Sequence, residues 1–313
     1  MQPQNPRLGI AFAFVCLLIL GVMPILASVR PAGASSLTFT VWMTAWQLVS
    51  AIPLLLRERA TGHGGAFGGI PAGRRRQAAA ITIITGAMFG TSTLMYVVAA
   101  EKAGPVNMAI ALQAYPLFAI GLEAVLLGKR KSAAELAFTG LMIAALLYLI
   151  TDGTFLPGDV SWWSVFALSI PLIWSVAHIL LRQVLLGTAI TPNQVTVSRL
   201  AISGAFLLAT ALVLGEGGAL LAVATDRDFQ KATFLLGLAY YLELVVWFSA
   251  IRHIDVSVAS SVTVPTPAVT MLVAVAFLGD RVALHQIVAM AAIAVAMYGL
   301  LFAGRRARRT TKR

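Results

Sequence analysis

Apolar stretches of about twenty residues follow one another along almost the entire sequence, each long enough to cross a hydrocarbon core ~30 Å thick as a helix. Ten can be drawn, at 8–29, 37–56, 78–100, 105–127, 133–151, 161–181, 194–214, 232–251, 256–278 and 283–303. A helix satisfies its own backbone N–H and C=O groups, which lipid cannot do for it. The expected fold is therefore all-α and integral to a membrane, with ten transmembrane helices. Composition agrees: 59% of the 313 residues are hydrophobic and 11% charged, against roughly 25% charged in an average soluble domain. No soluble fold could hide that much apolar surface.

The net charge of +11 would suggest nucleic acid in a soluble protein. Here the basic residues sit between spans and at the carboxyl end, so a lipid bilayer is the expected partner and nucleic acid is not. Arg57, Arg59, Arg74, Arg75, Arg76, Lys129, Arg130, Lys131 and the terminal basic run all fall on one side of the ten-span plan. Only Arg30, Lys102, Arg227, Lys231 and Arg281 fall on the other. The asymmetry predicts both termini in the cytoplasm. Residues 1–34 read as a retained first span, because the apolar stretch from Leu8 to Val29 exceeds the usual signal-peptide core. The lone Cys16 allows no intrachain disulfide and reads as inert packing.

One segment is present twice. Pro105 to Arg130 reads PVNMAIALQAYPLFAIGLEAVLLGKR, and Val256 to Arg281 reads VSVASSVTVPTPAVTMLVAVAFLGDR. Pro116 stands twelve residues before Gly128, and Pro267 twelve before Gly279, so one offset of 151 relates both motifs. Ten spans then divide into five and five, residues 1–151 and 152–313, the second with a basic cytoplasmic tail. An odd number per half makes the second enter the membrane in the opposite sense, so the repeats are inverted, with a solute site expected between the halves.

This plan, with Ala99 and Ala250 near the end of one span, a proline within the next and Leu-Gly-x-Arg closing it, resembles the EamA-type branch of the drug/metabolite transporter superfamily. The resemblance covers about residues 8–303. It implies an inner-membrane exporter of amino acids and similar metabolites with a central cavity, an aromatic amino-acid exporter being one member type. Two departures stand out. Lys129 occupies the place where the family has an acid, as in Leu278-Gly279-Asp280-Arg281, and Leu20-Gly21 stands where Trp174-Ser175 supplies the family's tryptophan in the second half. Neither bears on the fold; both leave the substrate open.

Helical spacing sorts the candidate site residues. Tyr240, Glu243 and Trp247 follow i, i+3, i+7 on one face of the eighth span, and the 151 offset gives Phe89, Ser92 and Tyr96 on one face of the third. Two related helices thus each present an aromatic, polar, aromatic ladder suited to stacking an amphipathic solute around a polar contact. The plainer reading is that these rings pack helices together. Glu243 counts against it, since a carboxylate at mid-span costs several kcal/mol unless neutralised, paired or hydrated, and such groups are functional candidates by default. Ser260 and Thr263 begin a small hydroxyl-bearing face on the ninth span, and Trp174 joins the set through the resemblance. The expected substrate-binding residues are Phe89, Ser92, Tyr96, Trp174, Tyr240, Glu243, Trp247, Ser260 and Thr263.

Pro24, Pro116, Pro171, Pro265 and Pro267 each remove a helical hydrogen bond, freeing the carbonyls of Leu20, Leu112, Ala167, Ser261 and Thr263. They read as hinges for alternating access or as static kinks. Gly86-x-x-x-Gly90 fits a close helix crossing. Glu123 and Arg199 lie within reach of a membrane surface and read as snorkelling side chains. His178 and His285 are isolated, and no spacing of histidines or cysteines makes a metal site. The glycine- and arginine-rich loop 57–77 lacks a phosphate-binding motif, so no nucleotide or other cofactor is expected. A short interfacial helix is expected through Ala219–Val223.

Function therefore reads as secondary transport of small metabolites, amino acids favoured, aromatic or large apolar ones included, by a functional monomer. A nucleoside or drug exporter is the alternative within transport. An integral-membrane enzyme would need a catalytic cluster that the dispersed acids do not form, and a scaffold or sensor would carry a large loop or tail.

Overall fold

A computed structural model describes residues 5–31, 33–61, 73, 75–127, 132–187, 192–254 and 256–310. Its helices are α1 (Pro6–Ser28), α2 (Ser36–Ala60), α3 (Arg75–Lys102), α4 (Pro105–Leu112), α5 (Tyr115–Leu127), α6 (Ala133–Ile150), α7 (Trp162–Gly187), α8 (Pro192–Val213), α9 (Gly217–Ala222), α10 (Arg227–His253), α11 (Val256–Thr263), α12 (Thr266–Val273) and α13 (Leu284–Thr310). Among the described residues ten segments are long and apolar enough to cross a membrane, and no strand occurs. The chain is a multi-pass, all-helical membrane protein. The expected short helix near Ala219 is α9.

The helix ends follow local chemistry. Ser35 caps α2, its Oγ accepting from the Thr38 N–H at 2.9 Å. Ser132 and Glu135 form a reciprocal capping box at the start of α6, with N–H···O distances of 3.2 and 2.8 Å. The Leu-Gly-x-Arg motif has its reason at Gly279. Its φ of 69° is a left-handed conformation that glycine takes without strain, and it stops the ninth span after a π-helical turn over Ala274–Leu278. The first copy of that motif, at Gly128 to Arg130, lies outside the described residues, as do the glycines from Gly62 to Gly69.

The fourth and ninth spans are each broken, and at equivalent residues. α4 and α11 cover 105–112 and 256–263, and α5 and α12 resume at Tyr115 and Thr266. The three pairs of bounds each differ by 151. A helix of eight residues rises only about 12 Å, so each span needs both of its pieces to cross. After each break the first regular hydrogen bond is also equivalent, Phe118 N–H to the Ala114 carbonyl (3.2 Å) and Val269 N–H to that of Pro265 (3.3 Å). Pro116 and Pro267 sit at the second residue of the resumed helix, where the missing N–H is not needed. The carbonyls freed in the ninth span find hydroxyls. Thr266 Oγ1 donates to Thr263 O at 2.7 Å and Tyr298 OH to Ser261 O at 3.0 Å.

The chain forms two compact units, each drawing on both sequence halves. The first comprises residues up to Ser28, Ala99–Leu172 and the residues from Leu242 onward; the second comprises Val29–Val98 and Ile173–Tyr241. In the first, α1 packs on α4, α11 and α12, and α6 packs on α13. Glycines allow the close approaches: a Cβ on Gly21 would lie 2.4 Å from Val269, and one on Gly299 would lie 2.3 Å from the Phe138 ring.

In the second unit α2 packs on α8, and two glycines related by the 151 offset serve equivalent crossings. A Cβ on Gly86 of α3 would lie 2.5 Å from Ile202 of α8, and one on Gly237 of α10 would lie 2.6 Å from the Met43 carbonyl oxygen of α2. Ser203 Oγ also donates to the Gly86 carbonyl at 2.7 Å. Gly237→Ala meets backbone, which cannot rotate away, and is expected to destabilise by about 1–3 kcal/mol, as overpacking does. Thermal unfolding in detergent checks this, with Gly218→Ala, open on all sides, as the neutral control.

Candidate functional site

In the second unit the face of α3 carrying Phe89, Ser92 and Tyr96 is inward and buried. The Trp174 Nε1–H of α7 donates to Ser92 Oγ at 2.9 Å, and Ser92 in turn donates to the Phe89 carbonyl at 3.0 Å. Ser92 is wholly buried, so the indole and the hydroxyl satisfy groups that would otherwise be costly in an apolar interior. Phe89 packs with Ala177 and Val195, and Met88 and Trp174 border that cluster. Tyr96 meets Tyr240 edge to face, with ring centroids 5.3 Å apart. Five of the nine expected binding residues, Phe89, Ser92, Tyr96, Trp174 and Tyr240, therefore belong to this unit, where aromatic rings flank the Trp174–Ser92 hydrogen bond.

The Phe89 ring has two further neighbours. His178 of α7 lies edge to face at 5.2 Å, and the Arg199 guanidinium carbon of α8 lies 4.3 Å from the ring centroid. Arg199, expected to reach lipid phosphate, thus engages an aromatic ring of the candidate site by a cation–π contact.

The first unit holds the other four. Glu243 is half-buried, and the Cys16 thiol of α1 points at its Oε1 from 3.7 Å. Trp247 borders a cluster of Ala13, Ala250 and Ala259 together with Phe12 and Val262, which is helix packing. Thr263 Oγ1 donates to the Ser260 carbonyl at 3.1 Å, so this hydroxyl serves the helix end before the break. Ser92 and Glu243 are equivalent under the 151 offset, and both sit opposite the helix that opens the other half, α7 for Ser92 and α1 for Glu243. The same polar slot recurs in the two halves, with a hydroxyl in one and a carboxyl in the other.

Of the expected hinges, Pro116, Pro265 and Pro267 stand at the two helix breaks, while Pro24 and Pro171 lie inside the continuous helices α1 and α7. Pro116→Ala, and Pro265→Ala combined with Pro267→Ala, are expected to restore continuous helices and slow solute exchange while leaving membrane insertion intact. Exchange rates equal to wild type in both variants would make these breaks static.

A pocket of ≈ 120 Å³ opens in the first unit between the α3–α4 turn and the segment after α12, lined by Asn107, Asp280, Arg281 and Gln286 among others. Gln286 donates to Asn107 there at 2.7 Å. None of the nine expected binding residues lines it. Among the described residues no group of three or more His, Cys, Asp and Glu side chains could hold a metal ion.

Cys16, His178 and Arg199 are not among the site residues expected from the sequence. For His178 a signal was present, since it follows Trp174 by four residues and so shares its face of α7. The contacts of Cys16 with Glu243 and of Arg199 with Phe89 join residues far apart in sequence, which spacing on one helix does not encode.

Residues 161–302 match the EamA-like transporter family, so the second half of the chain carries that domain. A solved crystal structure shares the fold at a TM-score of 0.64 and 16% sequence identity, covering 96% of this chain and 100% of its own. No curated protein matches.

Proposed function

We propose, taking the EamA-like transporter domain over residues 161–302 as premise, that the chain is a secondary transporter that exports small metabolites by alternating access. Amino acids are the favoured cargo, aromatic and large apolar ones included. The observation that carries this reading is the Trp174–Ser92 hydrogen bond of 2.9 Å within an aromatic face on α3. It fixes the partly buried Trp174 indole as a stacking surface for an apolar side chain, the positioned aromatic wall expected of a site for an amphipathic solute.

The rest of the reading rests on the duplication, on the asymmetry of basic residues and on the mid-span place of Glu243. Residues 1–151 and 152–313 are two inverted repeats, and the equivalent breaks in the fourth and ninth spans are where each repeat bends. Both termini face the cytoplasm across the inner membrane, a single chain holds a complete pathway, and no cofactor takes part. Glu243, the counterpart of Ser92, is the group through which proton movement couples to transport. Expression in cells lacking their own exporters should raise tolerance to p-fluorophenylalanine, and Trp174→Ala should abolish the gain. Unchanged tolerance to it alongside raised tolerance to a toxic nucleoside analogue would replace amino acids by nucleosides as the cargo.

A further inference from the structure

Arg199 is a permanent charge within a span, seven residues beyond the start of α8 at Pro192. Its backbone carbonyl lies 3.7 Å from where a Gly86 Cβ would stand, so α8 crosses α3 at this level. Phe89 is one helical turn further along α3, and the guanidinium covers its ring at 4.3 Å. The charge is therefore held against the same face that carries Ser92 and Tyr96. A guanidinium is planar, always charged and weakly hydrated, and its donors match a carboxylate bidentately, which suits it to recognition away from water. From Phe89 to Tyr96 the face extends on the order of 10 Å, about the length of one amino-acid-sized solute.

We propose that Arg199 is the specificity-determining residue of this face, binding the carboxylate of a solute whose apolar body lies along Phe89, Trp174 and the Tyr96–Tyr240 pair. This deepens, and rests on, the assignment of the α3 face as the solute site. The substrate class it defines is a monocarboxylate with an aromatic or large apolar side chain. Phe89 positions the guanidinium, and the buried Ser92 hydroxyl holds the Trp174 indole in place beside it.

Calorimetric titration of the purified full chain with three probes tests this. L-phenylalanine carries both charged groups, 3-phenylpropionate only the carboxylate, and phenethylamine only the ammonium. Wild type should bind both acids and bind phenethylamine roughly tenfold or more weakly, and Arg199→Gln should erase that preference by weakening the acids alone. Arg199→Lys, which keeps the charge, should restore part of it, and unchanged melting temperatures show that the variants fold. Equal binding of acids and amine by wild type, a preference surviving in Arg199→Gln, or no binding of either acid overturns the proposal. Binding of 3-phenylpropionate through Arg199 without binding of L-phenylalanine keeps the proposal and removes the amino-acid reading. Binding of L-phenylalanine that ignores Arg199→Gln does the reverse.

Discussion

Trp174→Ala is expected to weaken the binding of an aromatic amino acid roughly 30-fold, the loss of about 2 kcal/mol typical of a central tryptophan in a recognition site. The variant removes a stacking surface and also leaves the buried Ser92 hydroxyl without the indole donor that reaches it at 2.9 Å. The two losses separate chemically. Trp174→Phe keeps most of the ring and removes only the N–H, so it should cost about 1 kcal/mol, or roughly fivefold. Apparent KM for exchange in proteoliposomes measures both, with the amount of inserted protein as control. If both variants keep wild-type KM, the indole packs α7 against α3 and takes no part in recognition.

Glu243→Gln should separate binding from coupling. The substitution preserves size and the capacity to accept from the Cys16 thiol, but it cannot titrate. Substrate exchange across a membrane without a gradient should therefore persist near the wild-type rate, while acceleration by an imposed proton gradient should vanish. Such a gradient speeds proton-coupled flux several-fold or more, because each pH unit supplies about 1.4 kcal/mol per proton moved. Glu243→Ala leaves the thiol facing a cavity and is expected to lose stability as well, so the glutamine variant is the informative one. Equal gradient responses in wild type and Glu243→Gln would assign the carboxyl a purely architectural role.

The elements were largely legible because bilayer-spanning helices announce themselves by length and hydropathy. The ten spans drawn from the sequence fall on the ten apolar helical segments, with ends that differ by a few residues. The α4–α5 and α11–α12 breaks were legible too, since Pro116 and Pro267 each delete a donor and the repeat places them at equivalent depth. The pairing of faces was not legible. Spacing puts Tyr240, Glu243 and Trp247 on one side of α10, yet Tyr240 meets Tyr96, Glu243 meets Cys16, and Trp247 packs among alanines. A helix can show one face to several neighbours along its length, and which neighbour stands where is decided by tertiary packing. Arg199 illustrates the same limit, since a long cation near a helix start serves a phosphate or a ring equally well, and the glycine at position 86 decides how near α3 comes.

Substrate counterflow in proteoliposomes containing only this chain measures amino-acid transport by a single chain. Vesicles preloaded with unlabelled L-phenylalanine should transiently accumulate radiolabelled L-phenylalanine above its equilibrium level, with wild type far ahead of Trp174→Ala. Accumulation no greater than in protein-free vesicles for L-phenylalanine and for every other amino acid tried would show that the chain does not transport amino acids.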